Sequence, residues 1–159
     1  MTRSPKAQET AHAKGPKLSN YLCFAVYSAN LAFGRAYKPI LEAVGLTYTQ
    51  YIAMVALSEA DEQTVGELGE KLFLESNTLT PILKKLELSG YLTRTRDPAD
   101  ERQVRVSLTP AGRRLLDTDI GQAVVGACGL GDEFPLVQKS VVRLRDNLLR
   151  ATKGEPGDR

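Results

Sequence analysis

Apolar positions recur at helical spacing along most of this chain and switch to strict alternation in one place, between residues 91 and 108. From Leu18 to Tyr37, Leu22, Val26, Ala29 and Phe33 form one apolar stripe, and Tyr21, Ala25, Ala32 and Ala36 form another. This pattern predicts a long helix opened by Ser19 as its cap and apolar on two faces. One core can cover one face, so the other is expected to be a dimer interface. Pro39 and Gly45 bracket an expected short helix over 39–44. Thr47-x-x-Gln50 and Thr64-x-x-Glu67 both fit the capping box, predicting helices over about 48–59 and 65–72. A short connection, Phe73 to Glu75, leads to a third helix with Leu79, Ile82, Leu83 and Leu86 on one face, a local kink expected at Pro81 and a stop at Gly90.

The alternating stretch follows. Tyr91-Leu92-Thr93-Arg94 and Val104-Arg105-Val106-Ser107-Leu108 flank a turn rich in Asp and Pro, which predicts a two-stranded ribbon. Thr109-Pro110 opens a helix expected to run to about Ala127, where Gly126, Gly129 and Gly131 interrupt the chain. Val137, Val141, Leu144 and Leu148 predict a last helix over about Phe134–Ala151. The expected fold is therefore mainly α: a winged helix-turn-helix over 45–109 with a two-stranded β wing, and a helical dimerisation region drawn from both ends of the chain, 18–44 and 110–151.

Composition narrows the function classes. None of the 159 residues belongs to an apolar run long enough for a bilayer, and Thr2 to Lys17 lacks a secretory stretch, so a cytoplasmic, membrane-free protein is expected. Residues 1–17 read as a flexible arm and 152–159 as a tail. Two cysteines and one histidine, His12, do not make a metal site, and no cofactor is expected. In a reducing compartment the thiols serve packing or redox chemistry. Charge is segregated: Glu42 to Glu75 holds seven acids and one lysine, whereas Lys84 to Arg114 holds eight bases and four acids. An acidic body carrying a basic helix and ribbon suits a phosphate-facing surface.

The stretch from Val65 through Thr109, with Asp100-Glu101-Arg102 entering the second wing strand and Leu-Thr-x-x-Gly at Leu108 to Gly112, resembles the MarR family of dimeric winged-helix regulators. Leu22-Cys23-Phe24, Tyr27, Tyr37-Lys38-Pro39 and Tyr48-x-x-Tyr51 resemble, within it, the OhrR-type sensors of organic hydroperoxides in their two-cysteine form. That resemblance implies a homodimeric repressor, not an enzyme, on a pseudo-palindromic operator in double-stranded DNA, with half-sites roughly 34 Å apart. It implies that Asn77, Thr78, Thr80 and Pro81 face base edges or the thymine methyl, Lys84 and Lys85 phosphates, and Arg94, Arg96 and Arg102 make the wing's contacts to the DNA backbone and minor groove, Asp100 pairing with Arg102 to shape it.

It also assigns the thiols. Cys23 near the positive end of its helix would be the redox-sensing residue, with Tyr27, Tyr37 and Tyr48 as phenolic donors to the thiolate, and Cys128 in its glycine-rich break the resolving partner. On pattern alone a cysteine in an apolar helix is a small buried hydrophobe, and the phenols are aromatic core. A MarR-type repressor released by a small aromatic ligand, with Cys23 structural, stays open. A thiol peroxidase lacks support, since neither a catalytic arginine nor Cys-x-x-Cys accompanies Cys23.

Overall fold

A computed structural model of the protein describes residues 16–154. The expected arm and tail, with His12, fall largely outside them. Seven α-helices and three short strands run in the order α1 (Leu22–Glu42), α2 (Tyr48–Glu59), β1 (Gln63–Thr64), α3 (Val65–Leu72), α4 (Ser76–Leu88), β2 (Leu92–Arg96), β3 (Val104–Leu108), α5 (Pro110–Leu116), α6 (Ile120–Ala127) and α7 (Phe134–Thr152).

Local chemistry sets most of these boundaries. Both capping boxes close reciprocally: Thr47 accepts from the Gln50 amide while Gln50 Oε1 accepts from the Thr47 amide at 2.8 Å, and Thr64 and Glu67 do the same. Gly90, at φ 77°, takes the left-handed conformation that ends α4, and the Tyr91 amide reaches back to the Leu86 carbonyl at 3.0 Å. β2 and β3 pair antiparallel from Leu92↔Leu108 to Arg96↔Val104. Leu92, Val106 and Leu108 face inward to join Met54, Leu57, Leu68, Leu79, Leu83 and Leu86 in one core. That core fixes the recognition helix α4 and the wing to the same body.

Three expectations are corrected. Ser19 does not cap the first helix: Leu18–Asn20 forms a separate 3-10 turn, and the cap position is Tyr21, which makes no side-chain cap bond. There is no separate helix over 39–44, because Pro39 lies inside α1. Burial of Leu41 in the core, with Ile40 packed against it, holds the last turn together despite the lost amide donor. The helix expected over 110–127 is broken into α5 and α6 at Asp117–Asp119, where the Thr118 hydroxyl donates to the Leu115 carbonyl at 2.5 Å. Short polar side chains there compete with the helix ladder. The two-stranded wing of β2 and β3 stands as expected, and β1 adds a third strand to its sheet through Gln63↔Val106 and Thr64↔Arg105, giving the order β1-β3-β2.

Candidate functional site

α4 presents one face to the core and the other to solvent. Leu79, Leu83 and Leu86 are buried, while Asn77, Thr78, Pro81, Lys84 and Lys85 are exposed and Thr80 is half-buried. The Thr80 hydroxyl bonds back to the Ser76 carbonyl at 2.7 Å, in the turn just before Pro81. The exposed side chains form a strip of small polar groups followed by two ammonium groups one turn further on, an arrangement able to meet base edges and phosphates together.

The wing arginines differ from one another. Arg102 is almost fully exposed, and its Nε lies 3.1 Å from Asp100 Oδ1, which also accepts from the Arg102 amide. Arg102, its backbone amide and Gln103 hold the Asp100 carboxyl below the usual aspartate range. Arg96 is exposed and has no ion pair among the described residues. Arg94 instead turns back onto α4: Glu87 accepts from its Nε at 2.9 Å and from its amide at 3.1 Å. This bracket ties the root of the wing to the end of the recognition helix. Sequence reasoning missed Asp97 and Arg105, a pair that closes the wing from inside. Asp97 is 5% exposed and accepts from the Ala99 amide at 2.8 Å and from Arg105 Nε at 2.7 Å. The eight-residue spacing of the two acquires meaning only once the hairpin register is known.

The thiols occupy two places. Cys23 is the second residue of α1, exposed, in the turn that carries the helix's unpaired amides. It lines an apolar cavity of about 600 Å³ with Leu22, Val26 and residues of α7. Tyr27, one turn along, is exposed and lies near Phe24, their ring centroids 6.3 Å apart. Cys128 is half-buried just beyond α6 and lines a different cavity, with Ala32, Phe33 and Ala36 of α1.

Tyr37 and Tyr48 are brought together with centroids 5.0 Å apart, and Tyr51 joins them at 5.8 Å from Tyr37. Burial, then the neighbouring Tyr51 and Tyr48 phenols and the Cys128 thiol, raises the Tyr37 phenol above its ordinary value. Like any phenol it carries its proton at neutral pH and can donate. Within one subunit Tyr37 is close enough to Cys128 to feel its charge, and it lies fourteen residues or about 21 Å along α1 from Cys23.

One surface is unpartnered. α7 buries no residue within its own subunit, and Leu136, Val141 and Leu148 are exposed on it, as Leu18, Leu22, Val26, Leu31 and Phe33 are at the other end of the chain. An aromatic contact of α7 runs to the helix-turn-helix, where the Arg145 guanidinium sits 4.9 Å from the ring centre of Phe73, the residue at φ 57° between α3 and α4.

Residues 35–118 match the family described as transcriptional regulator SarA/Rot. The chain belongs to that family. This MarR-like winged-helix regulator is 42% identical over 150 residues to the HTH-type transcriptional regulator TtmR of Methylorubrum extorquens, covering 92% of this chain and 76% of that one. It is 43% identical over 112 residues to the organic hydroperoxide resistance transcriptional regulator of Bacillus subtilis, covering 69% and 76%. Among solved structures, AbfR of Staphylococcus epidermidis is similar at a TM-score of 0.72 and 34% identity, over 84% of this chain and 94% of that one. AbfR has also been solved reduced and bound to DNA (TM-score 0.69, 35% identity, 83% and 96% covered) and with a disulfide formed (0.62, 34%, 84% and 92%). The family member described here is thus a transcriptional regulator of MarR/SarA type, and none of its helices is long and apolar enough to cross a membrane among the described residues.

Proposed function

We propose that the protein is a homodimeric, redox-switched repressor that holds a pseudo-palindromic operator while Cys23 is reduced and leaves it when an organic hydroperoxide oxidises that thiol. The observation that carries this reading is the exposure of Cys23 in the first turn of α1, on the same unpartnered apolar surface that a second subunit would cover. In the first step the Cys23 thiolate attacks the terminal peroxide oxygen, the O–O bond breaks, the alcohol leaves with a proton, and Cys23 becomes a sulfenic acid. In the second, the thiol of Cys128 of the partner subunit attacks the sulfenic sulfur, an S–S bond forms and water leaves. Separation within one subunit supports pairing across the dimer, since a disulfide needs Cα atoms within about 7 Å. Tyr37 and Tyr48 support it too: phenols that donate to the partner's Cys23 would bring it to Cys128, which already neighbours Tyr37.

The DNA side follows from the exposed strip on α4. Asn77, Thr78, Thr80 and Pro81 meet base edges, Lys84 and Lys85 meet phosphates, and Arg96 and Arg102 reach the backbone beside the wing, while Arg94 acts through its bracket to Glu87. Moving from ~99% to ~1% DNA-competent requires oxidation to favour the inactive form by about 5.5 kcal/mol, within the reach of a covalent bond. The relative named for organic hydroperoxide resistance and the reduced and disulfide structures of AbfR support the same switch.

Fluorescence anisotropy tests it, using labelled DNA from upstream of the protein's own gene, titrated with cumene hydroperoxide and then dithiothreitol. Wild-type protein should release and rebind, and Cys23→Ser protein should stay bound throughout. Binding by both proteins that ignores peroxide would demote Cys23 to packing and point to a small-molecule inducer.

A further inference from the structure

Eight bases lie between Lys84 and Arg114, but the structure pairs some of them internally, and among the described residues Arg105 is the one whose carboxylate partner is nearly buried. It sits at the centre of the small sheet, paired with Thr64 of β1 on one side and Thr95 of β2 on the other. Its Nε donates to Asp97 Oδ2 at 2.7 Å, and its Nη1 donates to the Glu62 carbonyl at 2.9 Å. Glu62 is a non-glycine residue at φ 56°, in the loop between α2 and β1, a conformation that needs support from its surroundings. Asp97 is held from three directions: its amide donates to the Gln103 carbonyl at 2.9 Å, its Oδ1 accepts from Ala99, and its Oδ2 accepts from Arg105. The Arg105 charge also reaches the carboxylate of Glu67, which caps α3. One guanidinium thus joins the wing turn, the central strand and the loop that leads into the helix-turn-helix.

We propose that Arg105 is a positioning residue for DNA binding, a clasp with Asp97 and Glu62 that sets the wing against the recognition helix, and not a phosphate ligand. The inference rests on the DNA-binding reading above. Its physical logic is that a small sheet whose third strand is only two residues long is weakly held unless side chains pin it, and phosphate contacts made by Arg96 and Arg102 count only if the wing and α4 reach the duplex together. A guanidinium shared between a nearly buried carboxylate and a carbonyl has two of its five N–H donors engaged within the protein, which fixes its plane against the sheet.

Charge bookkeeping makes the test decisive. Asp97→Asn removes a negative charge near the DNA face, so simple electrostatics expects tighter binding, whereas the clasp expects weaker binding. Operator affinity is to be measured by anisotropy at several salt concentrations for wild type, Arg105→Met, Arg105→Lys and Asp97→Asn, each checked for a native circular-dichroism spectrum. Arg105→Met and Asp97→Asn should each weaken binding by about tenfold, the scale of one lost charge-assisted hydrogen bond. The dependence of log affinity on log salt should keep the wild-type slope, and Arg105→Lys should recover part of the loss. If Arg105 contacts phosphate, the slope of Arg105→Met falls by about 0.9 per subunit and Asp97→Asn binds at least as tightly as wild type, which overturns the clasp. Wild-type affinity in folded Arg105→Met and Asp97→Asn overturns it as well. A wild-type protein that binds no DNA in the same assay would instead remove the regulator reading on which the inference stands.

Discussion

Gly112 is the residue at which the smallest chemical change should do the most damage. It lies in the first turn of α5, where a Cβ would stand 2.1 Å from the Tyr91 carbonyl oxygen and 3.2 Å from Leu108 Cδ2. The obstacle is backbone at the root of the wing, itself fixed by the Thr109 amide donating to that same carbonyl at 3.0 Å. Thr109 is committed twice more, its hydroxyl donating to the Gly90 carbonyl at 2.7 Å and accepting from the Gly112 amide at 3.1 Å. The Leu-Thr-x-x-Gly stretch therefore has a physical reason: Leu108 fills the core, Thr109 caps the helix, and Gly112 lets α5 cross the start of β2 without a side chain between them. Gly112→Ala must push α5 away from Tyr91. Overpacking costs about 1–3 kcal/mol and belongs near the upper end where backbone must move, while alanine's helix propensity returns up to ~1 kcal/mol. A net loss of about 2 kcal/mol lowers the melting temperature of a chain this size by roughly 4–8 °C. Gly66→Ala is the control, because Gly66 is exposed and the nearest atom to its Cβ is 3.9 Å away. Thermal unfolding followed by circular dichroism should show a clear drop for Gly112→Ala and none for Gly66→Ala. An unchanged or raised melting temperature in Gly112→Ala would mean that the wing root yields freely and that the close approach has no structural role.

Three further outcomes are expected. Leu148→Asp, on the exposed apolar side of α7, should convert the proposed dimer to monomer in size-exclusion chromatography with light scattering; a dimer mass at low micromolar concentration would refute the interface. Cys128→Ser treated with cumene hydroperoxide should give Cys23 sulfenic acid and its higher oxides by mass spectrometry, and no covalent dimer on a non-reducing gel; a covalent dimer would mean that Cys128 is not the resolving thiol. Glu67 is held below its ordinary 4.5 by the Thr64 amide and then the Thr64 hydroxyl, and Asp97 below 3.8 by the Ala99 amide and then Arg105. Carboxylates with depressed folded values contribute stability that is present above the unfolded values and lost as pH falls through the folded ones. The acid limb of melting temperature against pH, below those ordinary values, should therefore flatten in Glu67→Gln and Asp97→Asn, and limbs parallel to wild type would count against both attributions.

What could be read from the chain before its fold was known depended on the range of the interaction. Capping boxes act over three residues, so Thr47–Gln50 and Thr64–Glu67 placed α2 and α3 at their observed starts. The recognition helix and wing were also legible, because Gly90 and the alternation after it are local. Pro39 misled because its position is legal at a helix start; only the burial of Leu41, a tertiary fact, shows that α1 continues through it. β1 escaped for a different reason. Two residues carry no alternation, and Thr64 was already accounted for as a cap, although it serves as both cap and strand. Arg94 and Arg105 read from sequence as members of one basic stretch, yet each faces a carboxylate: Arg94 reaches Glu87 seven residues back across the turn that ends α4, and Arg105 reaches Asp97 eight residues back across the hairpin, packing that composition does not encode. The thiol region was legible in its residue types and not in its grouping, since Tyr27 stays near Cys23 while Tyr37 and Tyr48 gather beside Cys128.

That grouping bears on how a switch in this fold would work. Tyr37 lies on α1, Tyr48 and Tyr51 on α2, and α2 is packed into the core that carries α4 and the wing. The three rings form a joint between the long helix that holds Cys23 and the body that would hold DNA. A long helix transmits displacement along its axis better than it absorbs it, because every backbone bond in it must stretch together. A bond made at Cys23 would therefore be felt at the tyrosine joint, and a bond made at Cys128 would pull directly on its neighbour Tyr37. The second link is the stack of Arg145 on Phe73, which touches the turn between α3 and α4 from the otherwise unburied α7. On the proposed reading, the thiols need not approach the DNA face at all: one disulfide acts on both elements, α1 and the segment leading into α7, that bear on the helix-turn-helix from outside its core.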